Sequence, residues 1–178
     1  WDYLVLASGS RPAYYGFRPE NGTLHSVHSL EHARAFRAAA ESHLAKDPAA
    51  PVVIVGAGYT GLEVASCLTA GARHSGASPR ITVVELADQV LSFLDHREQK
   101  RILDYFDSIG VELRTGTSLT RFADGVAELS DGTTIENALV CWAAGMQAAL
   151  PEITGDVQAE RDGRLQTNEF LQLPAYPT

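Results

Sequence analysis

Three glycines at fixed spacing are the residues of this sequence most clearly arranged for chemistry. Gly56, Gly58 and Gly61 follow a β-branched run at residues 52–55 and precede a helical pattern. In such a strand–turn–helix the first glycine allows the tight turn, the second lets a ligand approach the backbone, and the third lets the helix pack closely. The amide groups at the helix N-terminus then favour a pyrophosphate. The alternative is a glycine-rich turn without a ligand, because this spacing alone is a weak signal.

A carboxylate at the end of the next β-branched run indicates which dinucleotide would bind. Glu85 lies 29 positions after Gly56, close to the spacing expected of an acidic residue that binds the adenosine ribose hydroxyls. It would repel the 2′-phosphate of NADP by about 4 kcal/mol for unit charges about 4 Å apart at an effective dielectric near 20. Leu86, Ala87 and Asp88 supply no compensating cation. We therefore predict NADH rather than NADPH, with a solvated strand-end glutamate as the alternative.

Hydrophobic patterning predicts the α/β scaffold that would position these residues. The predicted strands are at residues 3–7, 52–55, 81–84, 111–113 and 138–142. The helix after the glycines runs to about Ala70, and the pairs Asp124-Gly125 and Asp131-Gly132 predict hairpin turns in a small meander. The fold class is therefore α/β, a Rossmann-like βαβαβ parallel sheet with a small β-meander crossover, preceded by a helical linker.

Local signals define the ends of the other two helices. The linker helix is predicted from Ser29 to Asp47, and the helix after the third strand begins with a capping box at Asp95 and Glu98 and ends at Gly110. The buried face of the linker helix is predicted to contain Leu30, Ala33, Phe36 and Leu44. The later helix is predicted to bury Ile102, Phe106 and Ile109.

Composition excludes several classes of function. The net charge of −8 and the lack of a basic run argue against nucleic acid as a partner. No apolar run approaches the roughly 20 residues of a membrane helix, so we expect a soluble chain.

Cys67 and Cys141 lie in a helical and a strand pattern, which predicts two buried thiols in a reducing, cytoplasmic compartment rather than a disulfide. His25, His28 and His32 have no metal-ligand spacing, so no metal site is predicted.

The motifs together resemble a known family. The segments WDYLVLASGS, VVIVGAGYTGLEVA, ITVVEL, CWAAG and GRLQTNEFLQLPAYPT are similar to the NAD-binding half of the pyridine nucleotide-disulfide oxidoreductase superfamily of flavoproteins. Within it, TGLEVA followed by VCWAAG is most similar to the type II NADH dehydrogenases. The resemblance covers essentially the whole chain.

The resemblance implies a division of the chain around a flavin domain. In that superfamily an NAD domain interrupts an FAD domain, whose own glycine motif and Gly-Asp strand are not found in this sequence. We therefore expect this chain to be a piece of a longer protein. The piece alone should bind NADH but not FAD. The predicted parts are a remnant edge of the FAD domain at 1–11, a loop and helical linker at 12–49, the NADH-binding domain at 50–163 and a return segment toward the missing FAD domain at 164–178.

The resemblance also implies roles for individual residues. Glu63 would lie near the nicotinamide and help to orient it, unless it is an ordinary first-turn carboxylate. Tyr59 either covers the dinucleotide or packs on the surface, and Ala144 and Gly145 let the backbone pass close to the cofactor. The predicted cofactor-binding residues are Gly56, Ala57, Gly58, Tyr59, Thr60, Gly61, Glu63, Glu85, Leu86, Ala144 and Gly145, with Glu63 also expected to act in catalysis.

The leading hypothesis is the NADH-binding part of an FAD-dependent NADH oxidoreductase. In the full-length protein hydride would pass from NADH to the flavin, and electrons would then pass to a quinone or another acceptor. Such a protein could lie at the membrane surface, and a homodimer is compatible with it. The alternatives are a non-catalytic dinucleotide-sensing module and a sister reductase that delivers electrons to a ferredoxin-like or sulfur-containing acceptor.

Overall fold

In the computed structural model, which describes residues 3–154 and 157–176, helices alternate with strands over residues 30–114. In chain order the elements are β1 (Ser10–Pro12), α1 (Leu30–Lys46), β2 (Pro51–Val55), α2 (Tyr59–His74), β3 (Arg80–Val84), α3 (His96–Ser108), β4 (Val111–Arg114), β5 (Leu119–Ala123), β6 (Val126–Leu129), β7 (Thr134–Ile135), β8 (Leu139–Trp142) and β9 (Met146–Ala148). They divide into a larger unit, Tyr14–Ala144, and a smaller unit made of Trp1–Ala13 and Gly145–Thr178.

A parallel sheet in the order β4-β3-β2-β8 organises the larger unit. Strand β2 pairs in parallel with both β3 and β8, and all five of its residues are buried. A strand covered on both faces needs apolar side chains throughout, and the β-branched run provides them. With α2 and α3 as crossovers, the order is βαβαβ followed by the meander and β8, which confirms the predicted Rossmann-like fold class.

The two faces of β2 belong to two hydrophobic cores because successive side chains of a strand point to opposite sides. Val52 and Ile54 pack in one core with Leu62 of α2 and Phe106 of α3. The other face packs against the meander, with a cluster that contains Val53, Val55, Leu119, Phe122, Ala127, Leu129 and Trp142. Helices therefore cover one face of the sheet, and the β5-β6-β7 meander covers the other.

The predicted helix signals are confirmed at most positions. Ser29 caps α1 by accepting a hydrogen bond from the His32 amide at 3.2 Å, and Asp95 caps α3 by accepting from the Glu98 amide at 2.8 Å. Gly110 follows α3 with φ of +75°, the left-handed conformation that glycine adopts readily after a helix. In α3, Phe106 is buried, and Ile102 and Ile109 are partly buried against the same core.

Two helix predictions are wrong in detail. Leu30 is 66% exposed, because it is the first residue of α1 and the buried face begins only at Phe36. Helix α2 continues to His74 rather than ending near Ala70. Its last turn is held by the buried Ala72, which packs with Leu44, Ala50 and Ala77.

The meander turns form as predicted. Asp124 and Gly125 join β5 to β6 with φ of +50° and +79°. Two successive residues with positive φ match the twist of a tight hairpin, and the Asp-Gly pair suits this conformation. Asp131 and Gly132 lie in the turn between β6 and β7.

The strand predicted at residues 3–7 is wrong. A strand forms instead a few residues later, at β1, which pairs antiparallel with β9 in the smaller unit. Tyr3, Leu4 and Val5 are largely exposed. An alternating apolar pattern forms a strand only where a neighbouring strand accepts its hydrogen bonds, and within the described residues of this unit none pairs with 3–7.

The prediction of two buried thiols is correct for one cysteine and wrong for the other. Cys141 lies within β8 and is fully buried, and this burial raises the pKa of its thiol to about 12. Cys67 is exposed, because it faces the open groove between α1 and α2 rather than the side of α2 that buries Leu62, Ala65 and Thr69. Among the residues that the structure describes, no helix has both the length and the apolar character needed to cross a membrane.

The two thiols should therefore react very differently. In the native protein we expect one fast reaction per chain with a disulfide reagent such as DTNB, at Cys67, because the buried Cys141 stays a protonated thiol. The second thiol should react only after denaturation, and Cys67→Ser should abolish the fast phase. Two fast thiols in the native wild type would contradict this assignment.

Candidate functional site

The turn after β2 depends on Gly56 for both conformation and space. Its φ is +102°, a region that residues with a side chain rarely adopt, and its amide donates to the Val84 carbonyl at 2.8 Å. A Cβ at Gly56 would lie 2.6 Å from the Ala144 Cα and 2.8 Å from the Ala143 carbonyl. The end of β8 therefore packs directly on the turn, and Gly56 is required by the protein itself.

Gly61 allows α2 to begin directly over this turn. It is buried in the first turn of the helix, and a Cβ added to it would lie 1.9 Å from the Gly56 carbonyl oxygen. No side chain can occupy that position without moving the helix away from the strand end. The predicted role of the third glycine in helix–strand packing therefore has a clear basis in the geometry.

Gly58 differs from the other two glycines because no protein atom requires it. Its backbone is extended, with φ of −72° and ψ of 179°, and a Cβ there would meet nothing within 4 Å. It is exposed and is the N-cap of α2, where it supplies no capping side chain. The first amides of a helix have no partner within the helix. An exposed approach to uncapped amides fits the group that was predicted to bind here, a pyrophosphate.

The Glu85 carboxylate is held against the glycine turn. One carboxylate oxygen accepts from the Ala57 amide at 2.8 Å and the other from the Ala87 amide at 3.0 Å. Because the side chain is half-buried and bonded at both oxygens, it is not a freely solvated strand end. A carboxylate offers about four acceptor positions, so further donors such as ribose hydroxyls can still be accommodated. Sequence reasoning missed the bond to Ala57, which no local pattern encodes.

The remaining predicted residues surround this turn to different degrees. Ala57 is buried within it, while Tyr59, Thr60 and Leu86 are exposed beside it. Ala144 is the last residue of the larger unit and lies next to Gly56. Gly145, with φ of +130°, belongs to the smaller unit.

Glu63 lies outside the first turn of α2. The helix begins at Tyr59 and its first turn contains no acidic residue. Because the helix dipole acts mainly on the terminal turn, the interpretation of Glu63 as an ordinary first-turn carboxylate is wrong. Its side chain is exposed, and its predicted role toward the nicotinamide stays a prediction.

A large groove elsewhere in the unit does not have the features of this site. It has a volume of about 890 Å³ between α1 and α2 and contains none of the predicted site residues. Its charged side chains Arg37 and Glu41 pair with each other at 2.7 Å. Among the described residues, no three His, Cys, Asp or Glu side chains lie together in a way that could hold a metal ion.

The fold and the glycine turn define a Rossmann-type α/β protein, and comparison with known proteins gives the family. The family of pyridine nucleotide-disulphide oxidoreductases matches residues 1–176. This chain belongs to that family.

Individual relatives are consistent with the family. The chain is 32% identical to an NADH dehydrogenase-like protein from Mycobacterium tuberculosis, over 99% of this chain and 46% of that protein. It is 27% identical to the type II NADH:quinone oxidoreductase Ndh of the same species, over 99% of this chain and 44% of the relative. The chain thus spans about half the length of these relatives.

A solved structure shows the same fold. Water-forming NADH oxidase from Lactobacillus brevis, determined with NADH bound, matches with a TM-score of 0.72 at 21% identity. The match covers 92% of this chain and 35% of that one. At this identity the match supports the fold alone.

Substitutions at Gly61, Gly58 and Gly71 should have different effects on the free energy of unfolding. Gly61→Ala should lower the free energy of unfolding by about 3 kcal/mol or more, because its Cβ overlaps the Gly56 carbonyl. Gly58→Ser should be at least as stable as the wild type, since it adds a favoured N-cap in open space. Gly71→Ala, in an open position of α2, is the matched control and should gain up to about 1 kcal/mol. Denaturant unfolding measures all three, and a Gly61→Ala variant as stable as the control would refute the packing argument.

Proposed function

We propose that this chain is the NADH-binding part of an FAD-dependent NADH oxidoreductase. The flavin, held mainly by other parts of a longer protein, would accept hydride from NADH and pass electrons to a quinone or another acceptor. The resemblance of the chain to a relative named type II NADH:quinone oxidoreductase supports a quinone. This chain alone is expected to bind NADH without turnover.

The observation that carries the proposal is the contrast among the three glycines. Gly56 and Gly61 are explained by the packing of the protein, whereas Gly58 faces open space at an uncapped helix N-terminus. A residue that the fold does not require, placed where a pyrophosphate would approach, is best explained by a ligand. The work of the chain would be to bind the pyrophosphate with backbone amides and to orient the nicotinamide toward the flavin.

Glu85 provides the proposed selectivity for NADH. Its carboxylate is fixed by the amides of Ala57 and Ala87, so it is already oriented before a ligand arrives. Ribose hydroxyls could donate to its remaining acceptor positions, whereas a 2′-phosphate would meet a like charge. No Lys or Arg lies in residues 85–95 to offset that repulsion.

Calorimetric titration of the purified chain with NADH tests the proposed function. NADH should bind, and NADPH should bind at least about tenfold more weakly, which corresponds to about 1.4 kcal/mol. Gly58→Ser should weaken NADH binding at least about tenfold, because its side chain occupies the approach and its hydroxyl caps the amides that the pyrophosphate needs. Gly71→Ala should bind like the wild type. Equal NADH affinity in folded Gly58→Ser would remove the glycine turn from the site.

A pair of Glu85 variants tests the selectivity separately. Glu85→Gln keeps an oxygen that can accept from the Ala57 amide but removes the charge, so it should reduce the preference for NADH over NADPH about tenfold. Glu85→Arg should move the preference further toward NADPH. Circular dichroism checks that both variants fold. An unchanged ratio of the two dissociation constants in Glu85→Gln would show that the carboxylate charge does not select the cofactor.

A further inference from the structure

Two exposed aromatic rings meet beside the glycine turn. Tyr59, in the first turn of α2, is 60% exposed, and Phe93, in the connection between β3 and α3, is 67% exposed. Their ring centroids are 5.6 Å apart, with a tilt of 56° between the ring planes. Both segments follow the carboxyl ends of neighbouring parallel strands, which is the edge where α/β sheets of this kind bind ligands.

The backbone that carries Phe93 is held firmly although its ring is exposed. Residues 91–94 form a turn in which the Leu94 amide donates to the Leu91 carbonyl at 2.9 Å. Leu91 is buried, with φ of +47°, a conformation that leucine keeps only where the surroundings impose it. Phe93 is therefore displayed by a turn with a fixed shape.

A buried amide side chain fastens both ends of this turn. The Gln99 amide group of α3 donates to the Leu91 carbonyl at 3.2 Å and to the Leu94 carbonyl at 3.3 Å. Gln99 is one of few buried polar side chains in the described residues, and these two bonds account for its burial. The core thus anchors the turn on both sides of Phe93 and leaves the ring in solvent against Tyr59.

We propose that Phe93 is a positioning residue for the dinucleotide. From its anchored turn, the Phe93 ring packs against the ring of Tyr59 and keeps it at the edge of the glycine turn, where Tyr59 is proposed to contact the ligand. Because the contact with Phe93 restricts the Tyr59 ring before the ligand arrives, less side-chain freedom is lost when the ligand binds. The proposal rests on the proposed function, since it assigns Phe93 to the same NADH site.

A double-mutant cycle tests whether Phe93 acts through Tyr59. NADH titrations would compare the wild type, Phe93→Ala, Tyr59→Ala and the double variant. Phe93→Ala should weaken NADH binding about three- to tenfold with an unchanged melting temperature, because the lost ring is largely exposed. In the Tyr59→Ala background, Phe93→Ala should change the dissociation constant for NADH by less than about twofold. Phe93→Tyr keeps the ring and should bind within about twofold of the wild type.

Phe170→Ala is the matched control, because Phe170 is a similarly exposed phenylalanine in the smaller unit. It should leave NADH binding unchanged. Equal affinity in Phe93→Ala and the wild type, or the same loss in both Tyr59 backgrounds, would overturn the role of Phe93 while leaving the proposed function intact. A wild-type chain that binds no NADH would overturn both proposals.

Discussion

The close approach of α2 to the end of β2 is the contact on which the rest of the candidate site depends. It exists because Gly61 has no side chain where the Gly56 carbonyl lies. A helix that starts directly over the strand end points its first amides at the crevice between the strands. The same compact turn places the Ala57 amide within hydrogen-bond distance of Glu85. One absent Cβ therefore sets the position of the helix terminus and of the carboxylate relative to each other.

Much of the larger unit could be predicted because its signals are local. The buried β-branched run of β2, the caps Ser29 and Asp95, and the Asp124-Gly125 turn each encode their structure within a few residues. These features depend on backbone sterics and short-range hydrogen bonds, which sequence patterns represent directly. The glycine turn belongs to the same group, since spacing and flanking elements sufficed to locate it.

Most of the other errors and omissions involve contacts between distant residues. An alternating pattern at residues 3–7 resembled a strand, but strand formation depends on a partner that the pattern does not specify. Cys67 was predicted to be buried, although its burial depends on which side of α2 packs against the core. The bond from Ala57 to Glu85 and the ring contact of Tyr59 with Phe93 join residues 28 and 34 positions apart. Only the folded chain brings these pairs together.

The two segments that form the candidate site contain no cationic side chain. The chain carries a net charge of −8, and neither residues 56–61 nor residues 85–95 contain a lysine or arginine. Within these two segments, attraction for a dianionic pyrophosphate would therefore come from backbone amides and the helix terminus, whose field acts mainly over the first turn. Such short-range forces require accurate geometry, because a small displacement of a dipole loses most of its effect. Under the proposed function, amide-based recognition would account for the tight packing at Gly56 and Gly61 beside an unobstructed Gly58, since the anchored turn would aim the amides and the open position would admit the ligand.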